Sequence, residues 1–207
     1  MSYEYALSRR RARIVHVAAG LFLLMGLAGI VGTLGAMIQP GMSLHCDAHG
    51  CTGRTHLIDL APEDTRAALS DSPTAQAAFE RHMARPLVRA GLAAEELIGG
   101  LPFVALMFGT GMALRELATR KENDLERALP WLRRASLAAV LMAVAGPVAA
   151  SAQAMIVYPG TPAGPMWYIG VDFLRLAFDL LLALAAFAVV WALDAGSQAE
   201  QDMATIV

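Results

Sequence analysis

Two groups of residues in this chain are of types that do chemistry. The first is the stretch His45-Cys46-Asp47-Ala48-His49-Gly50-Cys51-Thr52-Gly53-Arg54-Thr55-His56, which holds both cysteines and three of the five histidines. Two thiols flanking a glycine-containing turn can come within bonding range, which in an oxidising compartment gives a Cys46–Cys51 disulfide. The same thiolates with His45, His49 or His56 would suit zinc or copper, but the spacing matches no standard zinc pattern. A quinone-coupled thiol relay needs at least two cysteine pairs, and the sequence has one. A haem between helices would need paired imidazoles inside a bundle, and His16 is the one histidine near an apolar segment. No cofactor is therefore expected.

The second group consists of charged and polar residues set inside apolar stretches: Glu95 and Glu96, Gln153, and Asp172, Arg175 and Asp179. At about 100° per residue, the last three would fall on one face of a helix. A rise of about 1.5 Å per residue puts Asp179 about 6 Å and Arg175 about 12 Å from the middle of that stretch, with Glu95, Glu96 and Gln153 at similar depths. A lone charge at mid-bilayer costs at least about 2.5 to 3.5 kcal/mol, so Arg175 is expected to be neutralised by one or more of the carboxylates. The cluster reads first as an internal ion-pair network, and otherwise as a pocket for a cation, a proton or a small polar ligand.

Both groups depend on elements that the composition makes plain. The 207 residues are 57% hydrophobic and 16% charged, with a mean hydropathy of +0.50. Soluble domains carry about 25% charged residues. A helix needs about 20 mostly apolar residues to cross a bilayer. Four segments qualify: His16 to Ile38, Ala94 to Leu114, Ala135 to Val157 and Trp167 to Leu193. Lipid cannot satisfy free backbone polar groups and no two-residue alternation is present, so the expected fold is all-α, a bundle of four transmembrane helices with one larger loop. The first segment follows Arg9, Arg10, Arg11 and Arg13 and runs without a charge from Val17 to Ile38, too long for a cleavable signal, so it reads as a signal anchor.

Loop charges predict the orientation. Residues 115–134 hold Arg115, Arg120, Lys121, Arg127, Arg133 and Arg134, whereas residues 158–165 hold no basic residue. The positive-inside rule then puts both termini, the loop 115–134 and the tail 194–207 in the cytoplasm, and the loop 39–93 in the periplasm of a bacterium, around an inner-membrane bundle. Tyr158, Trp167 and Tyr168 would form an outer aromatic belt, and Trp131 and Trp191 an inner one. Within the long loop, Met42 to Cys46 and Arg54 to Leu60 could pair as a hairpin. Ser72 followed by Pro73 predicts an N-cap and first residue of a helix through Met83, and Pro86 can open the approach to the second span. Gly26, Gly29, Gly32 and Gly35, with Gly109 and Gly111, permit close helix approach, and Pro102 and Pro147 predict kinks.

The order of span, long loop, span, charged loop, span, short loop, span, with Leu132-Arg133-Arg134 leading into the third span and the ending Glu200-Gln201-Asp202-Met203-Ala204-Thr205-Ile206-Val207, resembles a bacterial family of small four-span membrane proteins of unknown function. Members are often encoded beside a Cro-like helix-turn-helix regulator, so the resemblance implies a cytoplasmic regulator protein as partner. A second copy of the chain is a further candidate. The formal charge of −2, with arginine supplying 15 of 16 basic residues and no lysine-rich tract, gives no footprint for direct nucleic-acid binding. No nucleophile and base pair and no phosphate loop is visible, so the expected role is non-enzymatic: a regulatory or scaffolding partner acting through the cytoplasmic loop and tail. The alternative is a small transporter or ligand sensor using the charged cluster.

Overall fold

The computed structural model describes residues 9–40, 42–47, 50–55, 57–119 and 124–206, with side chains described over 12–40, 57–119 and 125–196. Among these residues the architecture is helical apart from one hairpin. Helix α1 spans Arg9–Ile38, strands β1 and β2 are Met42–Asp47 and Gly50–Thr55, and α2 and α3 are Glu63–Ser70 and Pro73–Met83. The chain continues through α4 (Pro86–Ala118), α5 (Asp124–Val157) and α6 (Phe173–Ile206). Helices α1, α4, α5 and α6 are each long and apolar enough to cross a membrane, the property of a multi-pass membrane protein.

The long helices outrun the apolar segments that signal them. Helix α4 starts at Pro86, eight residues before Ala94, because proline is at home in a first turn and Leu87 to Ala93 contains nothing that stops a helix. Helix α5 starts at Asp124, so most of the expected loop 115–134 is helical and only residues 119–123 connect the two. There Arg134 lies over the Trp131 ring, 4.9 Å from its centroid. Pro102 and Pro147 lie inside unbroken helices. The fourth span departs the other way: it begins at Phe173, and residues 167–172 belong to no helix or strand, after Gly164 takes a φ of +73°.

Two compact units make up the chain. The first comprises residues 1–29, 101–144 and 173–207. Its helices meet through small residues. A Cβ on Gly26 would stand 2.8 Å from Phe108 Cδ2, one on Gly29 3.2 Å from Phe103, one on Gly111 2.8 Å from Leu23, and one on Gly109 3.0 Å from Ala135 Cβ. Ala113 and Ala128 are fully buried. Small residues bring backbones together where no hydrophobic driving force acts between helices.

The second unit comprises residues 30–100 and 145–172. Gly100 abuts Thr33, Gly99 abuts Ala149, and Gly91 abuts Ile156, so α4 here runs beside both α1 and α5. Gly32 and Gly35, expected to pack in the same way, have open space around them. A cap made of the 3-10 turn Leu57–Leu60, α2 and α3 closes over this end. Its core is Ala61, Leu69, Phe79 and Met83 packed with Leu92 of α4 and Val157 of α5. Ser72 caps α3 as its sequence predicts, accepting a hydrogen bond from the Ala75 amide at 3.4 Å with Pro73 in the first turn. The hairpin pairs Met42–Asp47 with Gly50–Thr55, an earlier second strand than Arg54 to Leu60, because a two-residue connection closes the tightest antiparallel pair. Leu57–Leu60 forms the 3-10 turn instead.

Candidate functional site

Polar contacts between the cap and the helix ends form the most developed site among the described residues. The last carbonyls of a helix have no partner within it. His82 of α3 supplies one: Nε2 donates to the Ile156 carbonyl of α5 at 3.0 Å, across 74 residues of sequence. Since a carbonyl only accepts, that nitrogen carries the proton. Arg89 does the same for α1, donating from Nη2 to the Ile38 carbonyl at 2.9 Å. Arg66 ties the 3-10 turn, donating to the Ala61 carbonyl at 2.7 Å and the Asp59 carbonyl at 2.9 Å.

Tyr158 is the other anchor. It is 1% exposed, its ring centroid lies 5.9 Å from that of Tyr168, and its hydroxyl donates to the Asp64 carboxylate at 3.2 to 3.3 Å. The expectation of a lipid-facing belt residue is thus corrected: the 3-10 turn Tyr158–Gly160 turns the ring under the cap, whereas Trp167 remains 89% exposed. Gly160 is needed there, because a Cβ would stand 2.6 Å from His82 Cδ2. Ser151 donates to the Pro147 carbonyl and accepts from the Gly170 amide at 3.2 Å, holding the non-helical stretch before α6. His82 and Ile156 lie 74 residues apart in sequence and Tyr158 and Asp64 lie 94 apart, separations that no local motif signals.

The intramembrane cluster is divided. Glu95, Glu96 and Gln153 are half-buried in the second unit, which also contains Asp172, while Arg175 and Asp179 belong to the first. Asp172 precedes the first residue of α6, so it does not extend a helical stripe with Arg175 and Asp179. Along α6 the covered positions are Leu176, Asp179, Leu180, Ala183, Val190 and Asp194, one face at helical spacing, and Arg175 lies outside it on the exposed surface. Asp179 is therefore on the packed face and Arg175 off it.

The hairpin register sets Cys46 opposite Cys51 and His45 opposite Thr52. Strand alternation places position 45 on the opposite face of the hairpin from positions 46 and 51. His49 and His56 lie outside the described residues, as do the side chains of the hairpin. Among the described residues no group of three or more His, Cys, Asp or Glu could hold a metal ion. An open hollow of about 310 Å³ lies at the base of the cap, lined by Gln39, Pro40, Leu57, Glu80, Met83, Ala84 and Arg89, apart from the charged cluster that the sequence singles out.

These features define a class, a multi-pass helical membrane protein with a folded cap built from its first long loop. No known family matches the chain, and neither a curated protein nor a solved structure is significantly similar to it.

Proposed function

We propose that the chain is a non-enzymatic protein of the bacterial inner membrane, with both termini in the cytoplasm, that regulates or scaffolds another protein through its loop 115–134 and tail 194–207. The observation that supports this most is the length of α6. It runs unbroken from Phe173 to Ile206, 34 residues or about 51 Å at 1.5 Å per residue, against a hydrocarbon layer of about 30 Å. The tail is thus the continuation of a spanning helix, a rod of about 20 Å beyond Leu193 that carries Asp194, Glu200 and Asp202. Helix α5 extends beyond the apolar segment starting at Ala135 in the same way, with Glu126, Arg127, Arg133 and Arg134 on its first three turns. Charged helix ends already in helical form suit docking of a partner protein without a large ordering cost. The six basic residues of 115–134 against none in 158–165 support the cytoplasmic assignment.

The partner class is a cytoplasmic regulator protein, as the family resemblance implies. Photo-cross-linking groups placed at Gln198 and Gln201 in native membranes test it: one discrete adduct to another protein, abolished by charge reversal at Asp194, Glu200 and Asp202, supports the reading, and adducts only to lipid or to the chain itself count against it. A second reading, a small transporter or ligand sensor, draws on Asp179, a carboxylate on the covered face of a spanning helix. It requires that Asp179→Asn abolish a phenotype that survives deletion of the tail.

A further inference from the structure

The geometry points to a disulfide between Cys46 and Cys51 across the β1–β2 hairpin, formed in the intact chain in the membrane. The two cysteines are direct partners in the antiparallel register, one step from the pair Asp47 and Gly50 that closes the two-residue connection. Directly opposed residues of an antiparallel pair have Cα atoms about 4.5 to 5.5 Å apart, whichever kind of pair they form. That separation falls within the range of about 4.4 to 6.8 Å at which disulfides form.

The register also weighs against metal. Residues of one face recur every second position, so the neighbours on the cysteines' face are Leu44 and Gly53, neither of which has a ligating side chain, and His45 with Thr52 occupies the opposite face. A zinc site would need His49 or His56 as further ligands, and release of the thiols by a chelator distinguishes it from the disulfide. The bond forms by exchange: one thiolate attacks the sulfur of an acceptor disulfide and expels one thiol, and the second cysteine attacks the mixed disulfide and expels the other. The chain's two thiols are oxidised by two electrons, and the acceptor, a thiol-disulfide oxidant of an oxidising compartment, leaves as two thiols.

The presence of that oxidant rests on the orientation proposed above. Membranes carrying the full chain are denatured in the presence of a maleimide with no reductant, after reductant, or after a chelator, and the labels are counted by intact mass, with Cys46→Ala/Cys51→Ala as the zero point. The expected result is no label without reductant or with chelator alone, and two labels after reduction. Labelling released by chelator alone means a metal site and overturns the proposal. Two labels without reductant also overturn it, and oxidised glutathione added to the purified chain then separates the causes. If the pair closes, the register stands and the loop faces a reducing compartment, which a reporter fused after Asp71 shows independently; if it stays open, the register inference itself fails.

Discussion

Tyr158→Phe removes one donor and nothing else, since the ring stays packed under the cap and the exposed Asp64 carboxylate can turn to water. The expected cost is about 1 kcal/mol, read as an approximately fivefold faster limited proteolysis of the cap in purified protein. His82→Ala is expected to cost more, about 2 to 3 kcal/mol, because it opens a void beside Gly160 and leaves the Ile156 carbonyl without its donor. The same proteolysis assay checks the order: His82→Ala cut fastest, Tyr158→Phe next, the parent slowest. Equal rates for the three would mean that the cap is held by its apolar core alone. Of these two residues the sequence shows one in a misleading light, since a tyrosine at the end of an apolar run reads as a belt residue. Burial by a cap formed 75 to 100 positions earlier in the chain carries no local signal.

The glycines separate into those that touch another helix and those that do not, and substitutions follow that division. Gly109→Leu puts a branched side chain where Ala135 Cβ already stands 3.0 Å away and its backbone 3.2 Å away, and a backbone cannot swing aside as a side chain can. Loss of a monodisperse species in detergent is expected. Gly32→Ala and Gly35→Ala meet nothing within 4 Å and are expected to leave thermal stability at or above that of the parent, since alanine is the better helix former. A destabilisation by either of more than about 1 kcal/mol would contradict the open space around them. The existence of the four long helices is legible in sequence, because about 20 apolar residues in a row admit no other solution in lipid. Their ends are not. Charges such as Arg127 and Glu126 stop a span without stopping a helix, so hydropathy marks the membrane and leaves the rod beyond it unseen. Ser72 and Pro73 were readable because capping is settled within four residues.

For the whole molecule, the folded cap belongs to the second unit and the helical extensions of α5 and α6 belong to the first. If the orientation follows the basic residues, a reporter fused at Val207 is active only in its cytoplasmic form, and one fused after Asp71 only in its exported form. The opposite pattern would remove the tail from any cytoplasmic partner. The candidate site was legible only in part. Residue types announced Asp179 as a charge within a span, and the register of the hairpin was within reach of a two-residue turn, but whether a helical face is covered depends on what packs there. That is why Asp172, Arg175 and Asp179 look like one stripe in sequence and differ in exposure when folded.

The contact from His82 to Ile156 imposes a schedule on biosynthesis. Ile156 is added 74 residues after His82, so at about 5 to 20 residues per second the cap waits about 4 to 15 s for the carbonyl it must reach. During that interval Phe79, Met83 and Leu69 have no Val157 to pack against. A ribosome stalled before the third span should leave a nascent chain whose first loop is handed to chaperones or cut by proteases, and one stalled after the third span and Gly160 have left the exit tunnel should not.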